Sequence, residues 1–330
     1  MTTAEAASPV SPCPPAFAGF WRRFAAFLLD GLLLGLVANV LGYALFDTMV
    51  RIGPWGRALG FLIALAYFAP LESRLGGGQT PGKRLLKIHV VDATGAPLAL
   101  ARSTTRFAIF GVPYFLSGAA LPAWVVGFAG GVPLALLSYG AFTALGTLLV
   151  FNRATHQSLH DLLTRSFIVR ADPAFAPGVP ARRLGRGHVA VTAAILVLAG
   201  ALPLAAPRLL RVPLGADLRV LCERVAAQPE VRSATVFEST STRYGVAGDG
   251  RLRALLVQAA IDSSLVDGDA LATRLAGIAL ASWPGAARAD RIVVVLSYGF
   301  DLGLASSWDS REFSYAPDQW RDRVAAGLGG

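Results

Sequence analysis

Charge is scarce in this sequence. Only 15% of its 330 residues are charged and 54% are hydrophobic, whereas a soluble domain carries about 25% charged residues. Residues 107–151 hold no charged side chain at all. That scarcity excludes a chain folded wholly in water. Cysteine is scarcer still, with Cys13 and Cys222 alone. The topology argued below sets them on opposite sides of a membrane, so no disulfide is expected between them. Residues 208–330 contain no histidine, which removes the commonest general base. No Ser/His/Asp or Cys/His arrangement is readable elsewhere. Residues 1–18 lack a basic leading region, so they read as a disordered tail and not as a cleavable signal.

The charge that exists is unevenly spread. Residues 1–207 hold 16 Lys+Arg against 7 Asp+Glu, and residues 208–330 hold 14 of each. The net +9 therefore belongs to the apolar part, where it lies in loops. Basic loops beside apolar spans call for anionic lipid headgroups as the partner. Nucleic acid would need a basic face on a folded module, and none is legible.

A spanning helix needs about 20 mainly apolar residues. Phe24–Phe46 meets that, with Asp30 as its one charge. Ala58–Leu71 is shorter and spans only with snorkelling flanks or a thinned bilayer. Phe107–Phe151 is too long for one span and suits two, with Gly127, Gly130, Gly131 and Pro133 at the turn. Val189–Pro207 gives a fifth. With the N-terminus inside, inner segments hold 14 basic residues and the short outer loops only Arg51 and Arg57. The positive-inside rule then favours five spans over four and puts the C-terminal domain outside the cytoplasm.

The inner loops carry pattern. Thr80 can cap a short helix with Pro81 at its first position. Residues 87–92 alternate partway before a Thr94-Gly95-Ala96-Pro97 turn, and Ser166–Arg170 is a second short strand candidate. The two either pair at the inner surface or lie as amphipathic interfacial segments.

Several motifs invite chemical readings. Arg23 and Asp30 lie seven apart, hence on one helical face. Asp30 at that depth is either an ion- or proton-coupling carboxylate or a structural one paired with Arg22, Arg23 or an inner-loop base. Residues 77–83 fit the G-x-x-x-x-G-K spacing of a phosphate loop. Arg84 stands where a Ser or Thr must hold Mg²⁺ and Pro81 removes an N–H, so that reading is set aside. His156, His160 and Asp161 have helical metal-ligand spacing, but no other Cys/His cluster supports a metal. Leu159–Leu163 reads instead as an interfacial turn, its leucines in lipid and Asp161 capping or pairing with Arg153 or Arg165.

Trp21–Gly35, Gly78–Leu86 and Phe151–Val169 together resemble the RDD family of bacterial membrane proteins. The resemblance covers about residues 17–171. It implies that Arg23, Asp30 and Asp161 are the Arg and two Asp of the family's name. Gln79, Thr80, Pro81, Gly82 and Lys83, with Leu159-His160-Asp161-Leu162-Leu163, look like its motifs. It implies no settled reaction; ion transport has been suggested for some members.

The expected fold is an α-helical multi-pass membrane bundle followed by a small α+β domain. The parts are a tail (1–18), an RDD-like domain with four spans (19–171), a basic linker (172–188), a fifth span (189–207) and an extracytoplasmic domain (208–330). In the last, helices at Ala216–Ala227 and Asp269–Ser282 alternate with strands at Val231–Phe237, Arg251–Ile261, Arg291–Tyr298 and Leu302–Trp308. The order αββαββ suggests an internal duplication. The aromatic end from Trp308 through Phe313, Tyr315 and Trp320 either docks on the sheet or offers a binding or membrane-facing surface. The functional expectation is a non-enzymatic binding or assembly component of a bacterial inner membrane, without cofactor or metal, whose outer domain meets a protein partner. The alternative is an ion or small-solute transporter using Asp30.

Overall fold

The computed structural model describes residues 17–117, 119, 136–152, 155–171, 186–209, 216–242 and 251–327. They fall into two compact units. Unit 1 is 1–38, 57–206 and 302–304; unit 2 is 39–56, 207–301 and 305–330. Residues 39–56 thus group with the C-terminal chain.

The N-terminal part is helical. Helix α1 is Phe20–Ala44, α2 Phe46–Ile52, α3 Gly56–Leu71, α4 Pro81–Leu85 and α5 Leu100–Leu116. A π-helical turn at Leu136–Gly140 leads into α6, Ala141–Phe151; α7 is Leu159–Leu163 and α8 Arg186–Leu209. Among the described residues, two helical stretches are long and apolar enough to cross a membrane: Phe20–Ala44 and Phe46–Leu71. Leu136–Val150 and Val189–Ala199 are shorter apolar helices. The expected turn at Gly127–Pro133 and most of the linker lie outside the described residues. Along α1 the residues Leu32, Leu36 and Val40 are each 63% exposed. A helix in water would bury that face; a helix in lipid has no reason to.

The two inner strand candidates do pair. Strands β1 (Ile88–Val91) and β2 (Phe167–Arg170) are antiparallel, with Ile88 opposite Arg170 and Val91 opposite Phe167. Phe17 bridges to Val169, and the Ala18 N–H donates to the Ile168 carbonyl at 2.9 Å. The last two residues of the expected tail are therefore tied down: a backbone edge was on offer, and Ala18 is fully buried against it. The Thr94–Pro97 turn is fixed by Asp92, whose Oδ1 accepts from Thr94 N at 2.8 Å and Ala96 N at 3.2 Å. It closes no hairpin, since the partner of β1 lies far along the chain.

The C-terminal chain forms α9 (Ala216–Ala226), β3 (Val231–Thr242), β4 (Arg251–Ile261), α10 (Gly268–Ser282), β5 (Arg291–Asp301), β6 (Ser306–Tyr315) and α11 (Pro317–Gly327). The sheet order is β3-β4-β5-β6, antiparallel in each hairpin and parallel between β4 and β5. The αββαββ order holds, with a further helix at the end. Leu255, Val257, Ile292, Val294 and Leu296 alternate onto the face that Leu221, Val225, Leu271 and Leu275 cover. Trp320 on α11 closes this core, fully buried, its Nε1 donating to the Ile292 carbonyl at 2.9 Å.

Two expectations here need correction. The strand pair after 290 was placed to turn at Gly299–Asp301, but β5 runs on to Asp301. Gly299 is a packing glycine: a Cβ there would stand 2.1 Å from the Ser307 carbonyl oxygen. The second is β3, which runs on to Thr242, past the expected end at Phe237; the aromatic end docks on the sheet as expected, with Trp320 in the core and Phe313 and Tyr315 of β6 packed against it.

Candidate functional site

The motifs of the first half converge on one buried cluster. Arg23 from α1, Arg106 from α5 and Asp161 from α7 meet there, each no more than 7% exposed. Asp161 Oδ2 accepts from Arg23 Nη2 and from its own Ser158 N–H. Its Oδ1 accepts from Arg106 Nη2 at 2.7 Å and Nε at 3.0 Å. Arg106 Nη1 turns to Glu72 Oε2. Glu72 Oε1 takes Lys83 Nζ at 2.5 Å. Two guanidiniums, one ammonium and two carboxylates thus form one continuous chain from α1 to α4.

Asp30 stands beside that chain and outside it. Its Oδ1 accepts from Tyr67 OH and from the Gly82 N–H, both at 2.8 Å, and its Oδ2 from Thr80 Oγ1 at 2.5 Å. Among the described residues Asp30 makes no ion pair with Arg22, Arg23 or an inner-loop base: hydrogen bonds hold it. A carboxylate in a low-dielectric interior needs such donors to stay buried.

The Gln79–Lys83 run now has a reason at each position. Gln79 Nε2 donates to the Ile88 carbonyl at 3.0 Å and locks the run to β1. Thr80 caps α4, its hydroxyl accepting from the Lys83 N–H, and Pro81 takes the first helical position as expected. Gly82 lets α4 abut α1, since a Cβ there would come within 2.4 Å of the Ala26 carbonyl oxygen and 3.0 Å of the Asp30 carboxyl. Lys83 then reaches Glu72. The same geometry disposes of a phosphate loop, because the Gly82 N–H already serves Asp30.

Asp161 caps its helix as expected, but not beside Arg165. The chain folds Arg106 over it from 55 residues away. Arg153 lies outside the described residues. Arg102 spans α7's end instead, donating to the carbonyls of Thr164 at 2.7 Å and Arg165 at 2.9 Å. Leu163 alone of the α7 leucines is strongly exposed, at 63%. His160 does not face a metal partner: its Nε2 lies 2.9 Å from Arg106 Nη2.

Sequence reasoning did not single out Glu72 or Arg106. Both were visible only as charges that bound an apolar run.

Electrostatics follow from burial against charge. Burial alone would raise the Glu72 carboxyl, but Arg106 and Lys83 outweigh it and hold it at about 2. Burial likewise works against Asp161, and the two guanidiniums keep it well below the usual carboxylate range. Burial and the adjacent arginines push the His160 imidazole down to about 3, with Asp161 opposing. His160 is thus neutral at physiological pH.

Beside the cluster lies a cavity of about 100 Å³. Its polar wall is Arg23, Glu72, Lys83, Arg106 and His160, and its apolar wall includes Phe27, Phe68, Phe107 and Phe110.

A helical membrane module tied at one end by buried ion pairs is the class this arrangement defines. Residues 17–165, the RDD-like module, match the model of the RDD family. No family model matches the C-terminal domain. No curated protein and no solved structure matches the chain.

Proposed function

We propose that this protein is a non-enzymatic membrane scaffold whose spans hold the α+β domain on the extracytoplasmic side, where it meets a protein partner. The observation that carries this reading is the saturation of the three buried carboxylates. Asp30, Glu72 and Asp161 each have both oxygens engaged by protein donors. A coupling carboxylate must exchange its partners for an ion or proton in each cycle. Here that exchange would dismantle the ties between α1, α4, α5 and α7.

The topology belongs to the same reading. Helix α1 has 25 residues, about 37 Å at 1.5 Å each, against a hydrocarbon core of ~30 Å. Arg23 and its partners mark one end. Helix α2, which follows α1 in the chain, groups with the C-terminal sheet: Tyr298 OH donates to Asp47 Oδ1 at 2.8 Å, and the Phe46 and Phe300 rings are 5.5 Å apart. This supports an odd number of spans, five by the hydropathy pattern, with the basic inner loops cytoplasmic.

Two measurements test the proposal. Vesicles reconstituted with the full chain are expected to show no ion flux above empty vesicles. A flux that Asp30→Asn abolishes while the protein stays folded overturns the scaffold reading in favour of transport. Protease added to intact spheroplasts is expected to cut within residues 238–250. Protection until permeabilisation overturns the topology. Cys222 is a slower reporter, since burial pushes its thiol up and its Sγ contacts the Ala234 carbonyl at 3.3 Å.

A further inference from the structure

We infer that the cavity beside the ion-pair cluster is a binding site for one small oxyanion, a carboxylate or phosphate group. The observation is an imbalance of donors over acceptors. All four oxygens of Glu72 and Asp161 are engaged by the cluster. The cations are not spent to the same degree. Among the described residues Arg23 donates to Asp161 alone, from Nη2. Lys83 Nζ donates once, to Glu72, and an ammonium has three N–H groups.

His160 adds a third donor, by chemical necessity. A guanidinium has no acceptor, so His160 Nε2, 2.9 Å from Arg106 Nη2, must accept. The proton of the neutral ring is then on Nδ1. That Nδ1 is buried and has no protein partner. A buried donor left unpaired is unfavourable, and all three residues line the same cavity.

Size and polarity narrow the ligand. About 100 Å³ is several times the ~10–15 Å³ that one water requires. Guanidinium and ammonium donors suit a carboxylate or phosphate. Away from the cluster the wall is apolar, with Phe27, Phe68, Phe107 and Phe110. Such a group could arrive free from the cytoplasm or on a lipid headgroup, since Phe27 is also 43% exposed on α1.

The test uses the full chain in nanodiscs, because cluster variants risk misfolding. Inorganic phosphate and acetate are titrated by calorimetry at constant ionic strength in neutral phosphatidylcholine discs. A parallel arm measures retention of phosphatidylglycerol by native mass spectrometry. Saturable binding in the first arm identifies a free anion, and selective retention in the second a headgroup. Phe27→Trp fills the cavity without touching an ion pair and is expected to weaken whichever binding occurs by about tenfold or more. Phe110→Trp fills it from α5 and replaces that variant if it fails to fold. Absence of binding in both arms overturns the inference, as does binding that neither filled variant weakens; the scaffold reading stands in either case, since it rests on flux and topology.

Discussion

The two regions of this protein solve the problem of a unique fold in opposite ways. The C-terminal domain carries 14 basic and 14 acidic residues, and none of those in its described part is buried. Its interior is apolar and closed by Trp320. The RDD module has far less charge per residue, yet it buries Arg23, Asp30, Glu72, Lys83, Arg106 and Asp161. The difference follows from the solvent. In water, burying apolar surface drives packing at roughly 25 cal/mol per Å². In lipid that force vanishes between helices, and polar ties must specify which helix meets which. Buried ion pairs contribute little net stability against an apolar replacement, but they punish a wrong partner heavily.

The comparison breaks most directly at Arg106, which alone bridges Glu72 and Asp161. Arg106→Leu strands both carboxylates and is expected to cost about 3–5 kcal/mol, read as a fall in the melting midpoint of the module in detergent. A change under about 1 kcal/mol would mean that the cluster is not what holds the helices. In the other region, Trp320→Ala opens the core of the domain and is expected to cost about 3–5 kcal/mol. Limited proteolysis should then release the C-terminal domain while the RDD module stays resistant. Simultaneous loss of both would show one cooperative unit.

Asp30 sharpens the comparison within the module. Asp30→Asn keeps one acceptor oxygen but puts an amide where Thr80, Tyr67 or Gly82 donates, so one donor loses its partner. The expected cost is about 1–3 kcal/mol, less than at Arg106 because no charge is left unpaired across the gap. A cost equal to that of Arg106→Leu would place Asp30 inside the ionic chain after all.

How legible this was depended on distance along the chain. The Gln79–Lys83 motif, its cap and its proline could be read locally, as could the helices and most strands of the C-terminal domain. Arg23, Asp30 and Asp161 stood out as charges within or against apolar segments. Their partners did not. Asp161 was matched to neighbours at 153 and 165 because local pairing is all that spacing can show, whereas Arg106 arrives on another helix. A buried carboxylate such as Asp30 suggests a basic partner, and a hydroxyl, a phenol and a backbone N–H leave no charge signature. Gly299 misled for a similar reason: glycine marks turns and close approaches alike, and only Trp308 packed opposite tells which.

The smallest expected effect separates the regions by pH. His160 ordinarily titrates near 6.5 but is held neutral down to about 3 in the fold. Below pH 6.5 the unfolded chain takes up a proton that the folded module refuses. Stability therefore falls as pH drops from about 6.5 toward 3, by at most about 1.4 kcal/mol per pH unit. Glu72 adds a second limb, because its carboxyl is lowered from 4.5 to about 2. The stability it contributes is complete above 4.5 and is lost toward pH 2. The C-terminal domain has no histidine and so has no upper limb. Melting midpoints between pH 7.5 and 5 should decline for the RDD module and stay level for the C-terminal domain. His160→Gln, which can still accept from Arg106, should lessen the module's decline above pH 5 and leave the lower limb in place, together with the smaller part owed to His89 and His156, whose imidazoles burial also pushes down. A decline undiminished in that variant would assign the proton uptake to His89 and His156 and remove His160 from the account of the cluster.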